Sequence, residues 1–148
     1  MIQFNQATDY AFRTMMHLAE LPPGAVVSAP LLAQEEVIPP RFLLKIMRLL
    51  TQAGLVKSYR GVEGGFGLAK AAEEISLGDI VVAMEGPLAI HRCLAERDSC
   101  NKHCAEECPV HAVLGKLQSD LAAGLHQAKL TSLLAQKRRS KAAFPGGR

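Results

Sequence analysis

Five residues, Gly61-Val62-Glu63-Gly64-Gly65, sit between two short segments that read as strands, directly behind an amphipathic helix. Leu55 to Arg60 alternates with the period of a strand, and Phe66-Gly67-Leu68 can return beside it, so the glycine-rich run reads as a hairpin turn. Ahead of it, Arg41 to Gln52 carries Leu43, Leu44, Ile46, Met47 and Leu50 as an apolar stripe, and Gly54 closes the helix. A hairpin in that place is a wing, which restricts the fold to a helical domain with a small β appendage.

The upstream sequence agrees. Asn5 or Thr8 can cap a first helix with Asp9 in its first turn, and Tyr10, Ala11, Phe12, Met15, Met16, Leu18 and Ala19 follow at helical spacing. Pro22-Pro23-Gly24 stops it. Ser28 opens a short helix from Pro30 to Glu35, and Val37-Ile38-Pro39-Pro40 forms a turn. Short helix, tight turn and amphipathic helix make a helix-turn-helix. Arg41, Lys45 and Arg48 are four and three residues apart and share one face, which is expected to enter a DNA major groove. A solvated basic face on a plain helical hairpin is the alternative; the wing argues against it.

Net charge is only +3, but its distribution is uneven. Val37 to Val62 holds five basic residues (Arg41, Lys45, Arg48, Lys57, Arg60) and no acid. A second basic group, Lys137, Arg138, Arg139, Lys141 and Arg148, lies in the tail, while most acids fall between Glu63 and Asp120. A phosphate backbone responds to a local patch rather than to the total. The 148 residues suit one compact domain with an added helical element. With no Trp and 5% aromatics, the core must be aliphatic. No run of about 18 apolar residues predicts a membrane span, and the polar start, Met1 to Asp9, does not read as a signal peptide. A cytoplasmic location is therefore expected.

Further along, Ser76 opens a short helix to Met84, followed by Gly86-Pro87. From Val110 to Gln127, Leu114, Leu117, Leu121 and Leu125 stripe a long helix suited to pairing with its own copy. Beyond Gln136 a disordered basic tail is expected. The resulting organisation is a DNA-binding domain over 1–86, a cysteine-rich sensor loop over 87–109, dimerisation and C-terminal helices over 110–136, and the tail over 137–148.

All four cysteines, Cys93, Cys100, Cys104 and Cys108, fall within sixteen residues, with His103 and His111 near them. In a reducing compartment such clustering points to soft or borderline metals. An iron–sulfur cluster, [2Fe-2S] or [4Fe-4S], is the first reading; structural zinc and a thiol–disulfide switch are the others. The paired CxxC knuckles of common zinc sites are absent. Charged neighbours (Glu96, Arg97, Asp98, Lys102, Glu106, Glu107) argue for an exposed loop rather than buried thiols. The sequence has no CxxC redox pair, no nucleotide-binding loop and no Ser/His/Asp set that can be placed, so an enzyme is not expected, nor a small-molecule substrate.

Three motifs resemble a known family, the bacterial winged-helix regulators that include IscR, NsrR, RirA and CymR. They are Thr8-Asp9-Tyr10-Ala11-Phe12-Arg13; Gly54-Leu55-Val56 with Arg60-Gly61-Val62-Glu63-Gly64-Gly65-Phe66-Gly67-Leu68-Ala69; and Cys108-Pro109-Val110-His111. The resemblance implies a homodimer with crossing long helices, bound to double-stranded promoter DNA. It also implies a cluster held by three cysteines and a non-cysteine ligand. Cys93, Cys100 and Cys108 match the three best. Asp9 matches an aspartate reached from the partner subunit, and His111 matches a histidine ligand. Seven residues separate Cys100 from Cys108 where five are commoner, and Cys104 is an extra candidate for the fourth position. The expected function is a transcriptional regulator, in repressor mode, whose promoter affinity follows the cluster's response to iron, redox state or nitric oxide. Ser28, Pro40, Arg41, Phe42, Lys45, Arg48, Arg60, Gly61, Gly64 and Gly65 are its expected DNA-facing residues. A zinc- or thiol-controlled regulator is the alternative, and a metal or redox protein without DNA the rival.

Overall fold

The computed structural model describes residues 3–96 and 99–143. It is mainly helical with one two-stranded antiparallel sheet. The order is α1 (Gln6–Glu20), α2 (Ala29–Glu35), α3 (Pro40–Gln52), β1 (Val56–Tyr59), β2 (Gly65–Leu68), α4 (Leu77–Glu85), α5 (Arg92–Ala95), α6 (Pro109–Gln127) and α7 (Leu130–Ala143).

Of the two candidate caps for α1, Asn5 is the one used: its side chain accepts from the Thr8 amide at 2.9 Å. Thr8, Ala11, Thr14, Met15 and Leu18 are buried, three and four residues apart. Thr8 also donates its hydroxyl to Glu85 Oε1 at 2.6 Å, and the Asn5 amide donates to the same oxygen at 3.0 Å. The start of α1 and the end of α4 are thereby tied together.

α3 buries Leu43, Ile46, Met47 and Leu50 against α1 and α4, together with Leu32 of α2 and Leu130 of α7. Leu44 does not belong to that stripe. It lies about 100° round the helix from Leu43, off the buried face, and is 55% exposed. In the α2–α3 turn, the Ile38 amide reaches the Ala33 carbonyl at 2.9 Å while Val37 takes a φ of 53°. That left-handed conformation is a sterically costly one for a β-branched residue, and it turns the chain sharply into α3.

β1 and β2 pair in the register Val56↔Leu68 to Tyr59↔Gly65, so Gly65 belongs to the strand rather than to the turn. Val27, just ahead of α2, adds an isolated bridge to Phe66, with amide–carbonyl distances of 2.9 and 2.8 Å.

The junction of α6 and α7 docks on the start of α4. The Leu77 amide donates to the Ala128 carbonyl at 2.9 Å, and the Leu130 amide to the Ile75 carbonyl at 3.0 Å. Ser76 and Asp79 form a capping box. His126 Nδ1 lies 3.2 Å from the buried Ser76 hydroxyl, so a Ser/His/Asp set does exist. It is a structural joint: Ser76 is itself buried and donates to Asp79 Oδ2 at 2.7 Å, so its hydroxyl is committed to the cap. α7 then runs to Ala143, so residues 137–143, expected as a disordered tail, are helical. The end of that tail, 144–148, lies outside the described residues.

Burial pushes the Asp79 carboxyl up, but the Ser76 hydroxyl and amide, with His126 and Lys129 nearby, outweigh it and hold it below the usual range. Asp79→Ala is therefore expected to lose roughly 0.5–1 kcal/mol of stability near pH 7, since the carboxylate is partly in water. A lowered carboxyl contributes above its unfolded pKa of about 3.9, and that contribution disappears as pH falls through the folded value. The gap between variant and wild type in urea titrations should close below about pH 4; equal stability at pH 7 refutes the joint.

Candidate nucleic-acid interface and cysteine site

Because four apolar residues of α3 face the core, Arg41, Leu44, Lys45 and Arg48 line the outer face together, all exposed. Pro39 caps the helix and Pro40 opens it, each without a side-chain capping bond. Phe42 is 52% exposed beside that face, edge-on to Tyr10 with ring centroids 6.5 Å apart. Ser28 is exposed and accepts from the Leu31 amide at 3.4 Å as the cap of α2. The outer face thus offers three cations with an isobutyl group among them. Sequence spacing alone counted Leu44 as core, because neighbouring Leu43 and Leu44 are interchangeable to a periodicity argument.

The wing presents Arg60 at the start of its loop, exposed, and Gly61 at a φ of 109°. Gly64 and Gly65 are half-buried, and their close approach is to their own chain. A Cβ on Gly65 would meet the Val27 carbonyl oxygen at 2.0 Å, and one on Gly64 would meet the Tyr59 oxygen at 2.5 Å. These two glycines shape the wing; Arg60 and the exposed Gly61 remain on its surface.

The cysteines divide into two groups. Cys93 Sγ, on α5, lies 3.3 Å from His111 Nδ1 of α6 and 3.1 Å from His91 Nδ1. Cys100, Cys104 and Cys108 lie near one another, close enough for Cys100 and Cys108 to act on Cys104 electrostatically. Backbone amides of Cys104 and Lys102 hold the Cys100 thiol below its usual range, whereas desolvation and the Cys100 sulfur push Cys104 up. Cys108 is the N-cap residue of α6. All four are free thiols, half-buried. Among the described residues, no three His, Cys, Asp or Glu side chains converge as a metal-holding group.

The segment is fastened to α6: the Ile90 amide donates to Gln118 Oε1 at 3.0 Å, and Leu94 packs at Gly115. His91, whose ring also accepts from the Cys93 amide at 3.3 Å, escaped the sequence reading, although its place two residues before Cys93 was a usable signal. Asp9 ion-pairs with Arg13 one turn on, at 3.1 Å, and this chain does not bring it to the cysteines.

α6 has no buried residue. Val110, Val113, Leu117 and Leu121 stand 39–63% exposed along one side, so of the expected stripe Leu117 and Leu121 are on the exposed row, Leu114 and Leu125 are half-buried, and the two valines complete it. No helix among the described residues is long and apolar enough to cross a membrane.

A helix-turn-helix with a wing, basic on its outer face, defines a winged-helix regulator class. The chain belongs to the Rrf2 family of iron-dependent transcriptional regulators, whose pattern matches residues 4–136. A helix-turn-helix-type transcriptional regulator of Mycobacterium tuberculosis is 41% identical over 88 residues, 60% of this chain. The chain spans about half, 55%, of that relative's length. CymR, the global cysteine regulator of B. subtilis, superposes with a TM-score of 0.70 at 23% identity, covering 92% of this chain and 98% of that one. T. potens IscR gives 0.72 at 24%, covering 95% and 91%. Staphylococcus aureus CymR gives 0.65 at 28%, covering 87% and 95%. These relatives are transcriptional regulators, not enzymes.

Gly65→Ala is expected to break the Val27–Phe66 bridge and destabilise the domain by about 1–3 kcal/mol, the usual cost of forcing atoms into a packed site. Chemical denaturation checks this, and a variant as stable as wild type would show the contact to be slack.

Proposed function

We propose that the chain is a promoter-binding transcriptional regulator, in repressor mode, acting as a homodimer whose DNA affinity is set by an iron–sulfur cluster in the cysteine segment. The observation carrying the DNA reading is the outer face of α3: Arg41, Lys45 and Arg48 exposed together, next to a wing bearing Arg60. Guanidinium groups suit guanine edges and phosphates, and a lysine suits phosphate. Leu44 and Phe42 add apolar contact of the kind made with thymine methyls. Ser28 and the Pro40 start of α3 fit contacts to the backbone.

The dimer reading rests on α6. An exposed row of Val110, Val113, Leu117 and Leu121 is an apolar face that a second copy of the helix would cover. Two recognition helices fixed by one such pair must match half-sites a helical turn apart, so small changes in α6 alter DNA fit.

The donor set fits a cluster in chemistry: four thiols, with His111 at hand for a mixed set. Cys93, Cys100 and Cys108 would hold it, with Cys104, His111 or the partner's aspartate at position 9 completing the set. When bound, such a group supplies an iron centre responsive to iron supply, redox state or nitric oxide. The remaining work belongs to the chain. Cys108 caps α6 and Cys93 meets His111 on it, so drawing the two thiol groups together pulls on the start of the dimer helix. Zinc suits the Cys93–His111 pairing, and the nearness of Cys100 to Cys104, both free thiols, favours a thiol switch as the second reading.

Arg41→Ala combined with Arg60→Ala should weaken binding to promoter fragments and flatten the log K against log salt slope by about 2 per chain. Titration by fluorescence anisotropy at several salt concentrations checks it, and wild-type affinity in the double variant refutes the surface. For the sensor, anaerobically purified protein should contain iron and acid-labile sulfide and absorb in the visible. Stoichiometric zinc without sulfide overturns the cluster and leaves the DNA reading standing.

A further inference from the structure

One basic group remains outside the DNA surface just described. From Leu121 to Arg148 the chain holds six Lys or Arg and no acid. Four of them, Lys137, Arg138, Arg139 and Lys141, lie on α7, which is helical through Ala143. Leu130 and Leu134 bury the first half of α7 in the core, and every residue from Gln136 to Ala143 is exposed. The second half therefore has no apolar face, and Lys137 and Lys141, four apart, repel each other on one side. Short helices of that kind are marginal alone.

Its position is fixed at one point. Lys137 pairs with Glu20 of α1, and the same lysine lines a cleft with Arg13 and Glu36. Glu36 is the C-cap of α2, one residue before the strained Val37 that turns the chain into α3. The basic end of α7 thus starts beside the turn of the helix-turn-helix, where the first helix of such a unit crosses the DNA backbone. Among the described residues Lys137 is the only one of the four in an ion pair.

We infer that the end of α7, through Arg138, Arg139 and Lys141, is an accessory phosphate clamp on the DNA engaged by α3. It contributes sequence-independent affinity rather than readout. Three exposed cations on a stretch of chain that carries no acid of its own, beyond the lysine that Glu20 neutralises, match a polyanionic backbone, and continuity with the α2–α3 turn places them toward the same duplex. The inference rests on the DNA-binding reading above.

The test uses the full chain carrying Arg138→Gln, Arg139→Gln and Lys141→Gln, with Lys137 left in place to keep its pairing to Glu20. Binding to a random-sequence duplex of about 40 base pairs is titrated across salt concentrations, enough length for several helical turns. The expected result is a log–log slope shallower by about 2 to 3 per chain, with unchanged helix content by circular dichroism. A control with Arg138→Lys and Arg139→Lys should retain the wild-type slope. An unchanged slope in the Gln variant, with wild type binding normally, overturns the clamp and spares the recognition surface. Loss of binding to phosphatidylserine vesicles with an unchanged DNA slope also overturns it, assigning the patch to a membrane surface. If wild type binds no duplex at all, both readings fall.

Discussion

Burial of one face of α3 decides most of what this molecule presents to solvent. Leu43, Ile46, Met47 and Leu50 each sit at or below about 1% exposure, so the helix cannot rotate without exposing them. Removing any one of them would leave a cavity of the kind that costs about 2–5 kcal/mol. That constraint sends Arg41, Leu44, Lys45 and Arg48 outward as a set. The wing follows without a long connection, since the Leu55 amide closes on the Leu50 carbonyl at 3.0 Å and β1 begins at the next residue. The position of the wing's cation is thus inherited from the packing of the helix before it.

The cysteine segment depends on a different element. It touches α6 through Gln118, Gly115 and His111, and α6 reaches the DNA-binding domain through its packing on α4 and the Ser76–Asp79–His126 joint. Gly78 is part of that joint, because a Cβ there would lie 2.5 Å from His126 Nδ1. A shift at the start of α6 therefore has a packed route to the first residues of α4, and from Glu85 at the other end of α4 to the cap of α1.

The helices, the wing and the helix-turn-helix were legible because each carries a local signature: caps at Asn5, Ser28 and Ser76, prolines at 22, 23, 39 and 40, and glycines at 54, 61 and 64. Leu44 reads as core from sequence because periodicity tolerates two adjacent leucines. The Val27–Phe66 bridge was hidden because it joins residues 39 apart with no pattern of its own. The helical end of α7 was missed because charge-rich composition reads as tail, whereas Leu130, Leu133 and Leu134 anchor it from one side. At the cysteine segment the residue types were legible and their grouping was not. Spacing treats four cysteines as one set, while the backbone places Cys93 with the histidines and Cys100 with Cys104.

The bridge between Val27 and Phe66 makes the wing and the entrance to α2 a single rigid lever. Val27 stands immediately before Ser28, the cap of the helix expected to cross the DNA backbone, and Phe66 lies in the returning strand of the wing. Two hydrogen bonds and a glycine without room for a methyl group fasten them. A displacement of the wing would therefore be shared with the first helix of the motif, since the two have no slack between them.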